Sequence, residues 1–246
     1  MFPLKDNIPA RIFPAVNIWL ILVNCLCFFY EVQLGPGLDG FLFQYGFVPA
    51  RFVAVQTLDP LGPGRFFPVF SSMFLHGGLL HLLSNMWMLW IFGDNVEDSM
   101  GHLRYLVFYL LCGVCSVTAQ AMATPASPVP MIGASGAISG VLGAYIFLYP
   151  RARILTLIPL FIFFYFIEIP AFVFLGLWLA LQLLRGSVSL LGDQVGTHGG
   201  VAWWAHVGGF TAGLLLIHFF RFRRKTSGRR RSSLWQKMVS GLLVME

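Results

Sequence analysis

Apolar residues in this chain gather into unbroken runs, with neither the period-two alternation of a half-buried strand nor the single apolar stripe of a water-soluble helix. The first run, from about Pro14 to Tyr30, can cross a hydrocarbon core that needs roughly 20 residues, its ends being loosely apolar. Further runs extend from Leu79 to Phe92, from Leu103 to Met122, from Ser135 to the Pro150-Arg151 stop, from about Pro170 to Leu184, and from Val201 to Phe220. They predict six membrane-spanning helices. Between Glu31 and Gly78 the pattern fragments, with Gly35, Pro36, Gly37, Gly40, Pro49, Pro60, Gly62, Pro63 and Gly64 punctuating short apolar pieces. That stretch is too apolar for a solvated linker, and an interfacial loop lying against the membrane is expected. Gly93-Asp94-Asn95-Val96-Glu97-Asp98 is expected to end the second span, and Thr124-Pro125-Ala126-Ser127-Pro128 to turn the chain after the third.

The region from Ile154 to Leu184 decides the topology, because it is about twice the length of a comfortable crossing. Glu168-Ile169-Pro170 reads as a helix start, an acid near the positive dipole end with proline in the first turn. Span five then begins near Pro170, Ile154 to Ile167 becomes a partly buried connector, and Gly186 to Gly200 a glycine-rich loop. The expected fold class is an all-α membrane protein. Residues 1–13 form a cytoplasmic N-terminal segment, 14–222 a six-helix membrane domain with a membrane-associated first loop, and 223–246 a basic cytoplasmic tail.

Composition agrees: 57% of the 246 residues are hydrophobic and 11% charged, with a mean hydropathy of +0.77. These are the proportions of an integral membrane protein. The net charge of +6 does not point to nucleic acid, since its excess sits in Arg221, Arg223, Arg224, Lys225, Arg229, Arg230 and Arg231, directly after the last span. A basic flank at cytoplasmic headgroups accounts for it, and six crossings then place both termini in the cytoplasm, with Arg104, Arg151 and Arg153 on the same side. The reading is a multi-pass protein of a bacterial cell (inner) membrane, its first span retained as a signal anchor. Cys25, Cys27, Cys112 and Cys115 fall inside spans and are expected to be small buried hydrophobes.

Six crossings also bring three polar groups to one depth. Spans two, four and six all run from outside to inside, so His81, Ser135 and His206 lie near their outer ends; a seventh crossing would move His206 about 15 to 20 Å away. Each has an ordinary explanation: Ser135 as part of the Gly136/Gly140 packing face, His206 as a neutral ring satisfied by a carbonyl, His81 with Asn85 as glue between helices. Together they also suit hydrolysis. A serine nucleophile needs a base, here His206, and donors for the developing oxyanion, here His81, Asn85 one turn later on the same face, and the backbone N–H of Ser135. No acid is placed to orient His206, Asp193 being in the loop, so a dyad is expected rather than a triad.

Gly133-x-Ser135-Gly136, His81-x-x-x-Asn85 and Ala205-His206-x-x-Gly209 on the last of six spans resemble the rhomboid family of intramembrane serine proteases. Tyr45-Gly46-Phe47-Val48-Pro49, Phe74-Leu75-His76 and Gly93-x-x-x-Glu97 agree with it. The resemblance covers roughly Pro14 to Phe220. It implies a six-transmembrane-helix rhomboid-like bundle that cleaves transmembrane protein substrates near the outer face through an acyl-enzyme. Ser135 would be the nucleophile, His206 the base, His81 and Asn85 oxyanion donors, and span five with the Gly186–Gly200 loop a gate and cap. No cofactor or metal is implied, and the partners are substrate helices and the lipid bilayer. Two features depart from relatives: Arg65-Phe66-Phe67 stands where many bacterial members carry Trp-Arg, and Ser139 where some place a tyrosine against the histidine. Competing readings are a transporter or channel using Ser135, His81 and His206 as a polar path, and a non-catalytic binder of membrane helices.

Overall fold

A computed structural model describes residues 1–58, 62–191 and 201–222. Helix α1 (Ala15–Gln33) is followed by three short helices, α2 (Leu38–Tyr45), α3 (Pro49–Leu58) and α4 (Pro63–Ser71). Then come α5 (Leu79–Met100), α6 (His102–Ala123), α7 (Ser135–Leu148), α8 (Ala171–Leu191) and α9 (Trp203–Phe220). The fold is mostly helical. By length and composition α1, α6, α8 and α9 can each cross a membrane, and α5 qualifies together with Phe66–Phe74, from which it is bent by 87°. α7 is shorter, at 14 residues, and its buried residues run unbroken from Gly136 to Tyr145. The outward faces carry large apolar side chains such as Leu26, Leu80, Leu103 and Phe219, which suits lipid as the surrounding solvent.

The all-α expectation is corrected by a three-stranded antiparallel sheet. Strand β1 (Phe2–Asp6) comes from the N-terminal segment, and β2 (Arg153–Leu160) and β3 (Phe163–Pro170) form a hairpin out of the expected connector. Valine-like and aromatic side chains of the Ile154–Ile167 run favour extended backbone, and β2 pairs β1 on one side and β3 on the other. Glu168 accordingly lies in a strand, 3.6 Å from Arg153, and α8 starts at Ala171. β1 also runs beside α5, where Trp87 Nε1 donates to the Pro3 carbonyl (2.6 Å) and Asn95 Nδ2 to Asp6 (3.0 Å).

The second span does not end at Gly93. α5 continues to Met100, its last turns held by the partners of Asn95 and Glu97, and Gly101, at φ +78°, turns the chain into α6. Buried Glu97 accepts the backbone N–H groups of Val16 (3.0 Å) and Asn17 (2.8 Å), two orphan donors at the start of α1, and also contacts His102. Asn17 bridges Leu89 O and the Tyr105 hydroxyl, directly over Gly93, where a side chain would collide with both Asn17 and Tyr105. α1, α5 and α6 are thereby tied at one level. Of the cysteines, Cys112 is buried, whereas Cys25 and Cys115 face outward.

The first loop is anchored without a Trp-Arg pair. Arg51 donates to the carbonyls of Phe43 (2.7 Å), Gln44 (3.2 Å) and Gly46 (2.9 Å), and Ser71 Oγ to Tyr45 O (2.6 Å). Phe47 and Met131 exchange both backbone hydrogen bonds, at 3.0 and 2.7 Å.

Candidate active site

α7 and α9 approach backbone to backbone. A side-chain carbon on Gly209 would collide with the Gly136 carbonyl, one on Gly213 with Gly140 O, and one on Gly143 with Phe210 O. Spacings of four on both helices advance together, so the helices run parallel in a small-residue seam. Ser135 directly precedes Gly136, and His206 precedes Gly209 by three residues, so both sit at the same end of the seam. Ser135 Oγ lies 2.8 Å from His206 Nε2. The structure thus brings together a hydroxyl and an imidazole separated by 71 residues.

The other ring nitrogen of His206, Nδ1, is 2.8 Å from Gln182 Oε1 on α8. Both residues are buried, at 8% and 7% exposure. At this position an amide carbonyl faces the ring where a triad would have an acid, a placement the apolar pattern of the span does not mark. The available signal was a lone amide in an otherwise apolar span. Asp193 and the 192–200 part of the expected loop lie outside the described residues. Two indoles flank the ring, Trp178 at 5.8 Å and Trp203 edge-on at 6.3 Å. Ser139, in place of a tyrosine, donates to Ser135 O (2.6 Å).

His81 and Asn85 face Gly133 from the first two turns of α5. Gly133 has φ +120°, and a Cβ there would lie 2.7 Å from the His81 ring and 3.6 Å from Asn85 Nδ2. Glycine is required both by the dihedral and by the space. Its N–H donates to Ser72 O (2.8 Å), which fixes the approach to Ser135. Ser135 opens α7, so its own N–H has no partner within the helix. Asn85 Nδ2 is 3.1 Å from Nε2 of buried His76, whose backbone N–H reaches the Glu31 carboxylate (3.1 Å). Asn85 therefore keeps a second amide hydrogen for another acceptor.

Ser135, His206, His81, Asn85, Gln182 and Trp178 line one cavity of about 1150 Å³. Among the described residues that line it there is no Asp, Glu, Lys or Arg, so their polar atoms act through hydrogen bonds in a weakly polar surround. Among the described residues no group of three His, Cys, Asp or Glu is arranged to hold a metal ion.

Comparison with known proteins adds an independent line. The family model described as the Rhomboid domain matches residues 63–223. The chain is similar to "Rhomboid protease GluP" of Bacillus subtilis, 37% identical over 87 residues, covering 35% of this chain and 17% of that protein. It is 31% identical over 127 residues to "Presenilin-associated rhomboid-like protein A, mitochondrial" of Danio rerio, covering 50% of this chain and 30% of the relative. "Rhomboid-like protease 5" of Toxoplasma gondii matches at 33% over 182 residues, 69% of this chain and 19% of that protein. The chain thus spans about a third or less of the length of these relatives.

Proposed function

Since the chain belongs to the rhomboid family, we propose that it is an intramembrane serine endopeptidase acting on transmembrane protein substrates near the outer membrane face. The observation that carries this reading is the 2.8 Å contact between Ser135 Oγ and His206 Nε2. α5 and α7 are taken as crossings beside α1, α6, α8 and α9, which gives six and puts Ser135, His206 and His81 at the outer end. Relatives come from a bacterium and from mitochondria, so the membrane is defined here only by its sidedness, with the basic ends inside.

In this mechanism His206 Nε2 accepts the Ser135 proton as Oγ attacks the scissile carbonyl, forming the tetrahedral intermediate. The oxyanion takes hydrogen bonds from Ser135 N–H, the free Asn85 amide hydrogen and the His81 ring. Collapse expels the amine, which receives its proton from His206 Nε2, and leaves an acyl-enzyme on Ser135. Water, deprotonated by the same nitrogen, then releases the carboxylate product and restores the serine. The weakly polar cavity strengthens each of these hydrogen bonds relative to water.

The test is a fluorophosphonate probe together with a panel of transmembrane substrates, on wild type, Ser135→Ala and His206→Ala. Labelling and cleavage in wild type, both lost in each variant, are expected. Substrate association with no labelling or cleavage would identify a non-catalytic helix binder instead, and transport surviving Ser135→Ala a polar pathway.

A further inference from the structure

Gln182 sits near the middle of α8, eleven residues or about 16 Å from the helix start. The start is well held, with Ala171, Phe174 and Leu175 buried. Beyond Leu175 the helix turns outward almost everywhere: Leu177, Leu181, Leu183, Leu184, Val188 and Leu190 are exposed. Gly176 has nothing within 4 Å of where a side chain would stand. In this outer half Gln182 is buried, and its carbonyl oxygen is spent on His206 Nδ1. An amide buried in an apolar helix costs free energy unless it is bonded, so its bond to His206 is informative.

We propose that Gln182 is a positioning residue for hydrolysis at Ser135, an inference that rests on the hydrolytic reading above. By accepting the Nδ1 hydrogen it holds His206 in the tautomer whose Nε2 has a free lone pair for the Ser135 proton. When that proton arrives, the ring is positively charged, and the Nδ1–H···Oε1 bond strengthens because its donor is now ionised. The Nδ1 hydrogen stays on the ring throughout; only the Nε2 proton moves, first from serine and then to the leaving amine. The bond also crosses from α8 to α9, so the base is set for catalysis while the outer half of α8 is seated.

Two variants separate positioning from packing. Gln182→Met keeps the length and volume but offers no comparable acceptor; kcat should fall roughly 10- to 100-fold with KM little changed. Gln182→Glu restores an acceptor and adds charge, so turnover should stay near wild type while the acid limb of the pH–rate profile moves to higher pH, the imidazolium being stabilised. A Gln182→Met enzyme with wild-type kcat overturns the inference. If that variant does not fold, the Gln182→Glu profile decides alone, and an unshifted acid limb overturns it. Fluorophosphonate labelling of wild type is measured in the same series. Its absence would sink the hydrolytic reading itself, whereas a labelled wild type with an indifferent Gln182→Met sinks only the role of Gln182.

Discussion

Replacing Gly209 by alanine adds one carbon where the backbones of α7 and α9 meet beside the site. The new Cβ would fall well inside the 3.0 Å limit that real Cβ atoms respect, and the obstacle is the Gly136 carbonyl, backbone that has no rotamer to change. The helices must part by about 1 Å to admit it. Ser135 is the residue next to Gly136, so that separation carries the Ser135–His206 contact from 2.8 Å to about 3.8 Å, beyond hydrogen-bonding range. A misplacement of this size costs on the order of 10² in rate, and overpacking lowers stability by about 1 to 3 kcal/mol. The assay is initial-rate cleavage of a transmembrane substrate with a parallel thermal melt. Gly176→Ala is the control, since that glycine sits in a helix with open space around it; it should keep full activity and gain about 0.5 to 1 kcal/mol from helix propensity. Gly209→Ala enzyme within threefold of wild type would refute the claim that backbone contact sets the serine–histidine distance.

Asn85→Ala removes one oxyanion donor and should lower kcat by about 10² to 10³ with KM nearly unchanged, measured by steady-state kinetics. Asp6, on β1, is pushed up to about 6, mainly by burial and partly offset by the hydroxyl of Tyr145. The folded protein therefore holds this proton more tightly than the unfolded chain. Its contribution to stability is full below about pH 4 and is lost as pH rises through about 6. Melting temperature should fall across that window in wild type, and Asp6→Asn should flatten the slope; an unchanged slope would show that Asp6 ionisation is not coupled to folding.

Much of the bundle was legible because membrane helices announce themselves by uninterrupted apolarity, and because small residues at four-residue spacing mark close helix contact. Gly136/Gly140 and Gly209/Gly213 carried both signals. What escaped was non-local. β1 lies in a mildly basic stub about 150 residues from β2, and neither strand can be recognised until its partner is known. The polar run after Gly93 looked like a helix end because its partners, Asp6 and the first N–H groups of α1, come from distant sequence. Gln182 was hidden for the opposite reason: one amide in an apolar span barely alters mean hydropathy, yet its carbonyl reaches His206.

Glu97 constrains the order in which the bundle can be completed. The two N–H groups it accepts, at Val16 and Asn17, emerge about 80 residues ahead of it, roughly 4 to 16 s at ordinary synthesis rates. Through that interval the head of the first helix must borrow hydrogen bonds from headgroups or water, so it waits at the interface and takes its final seat once the second long helix delivers its carboxylate.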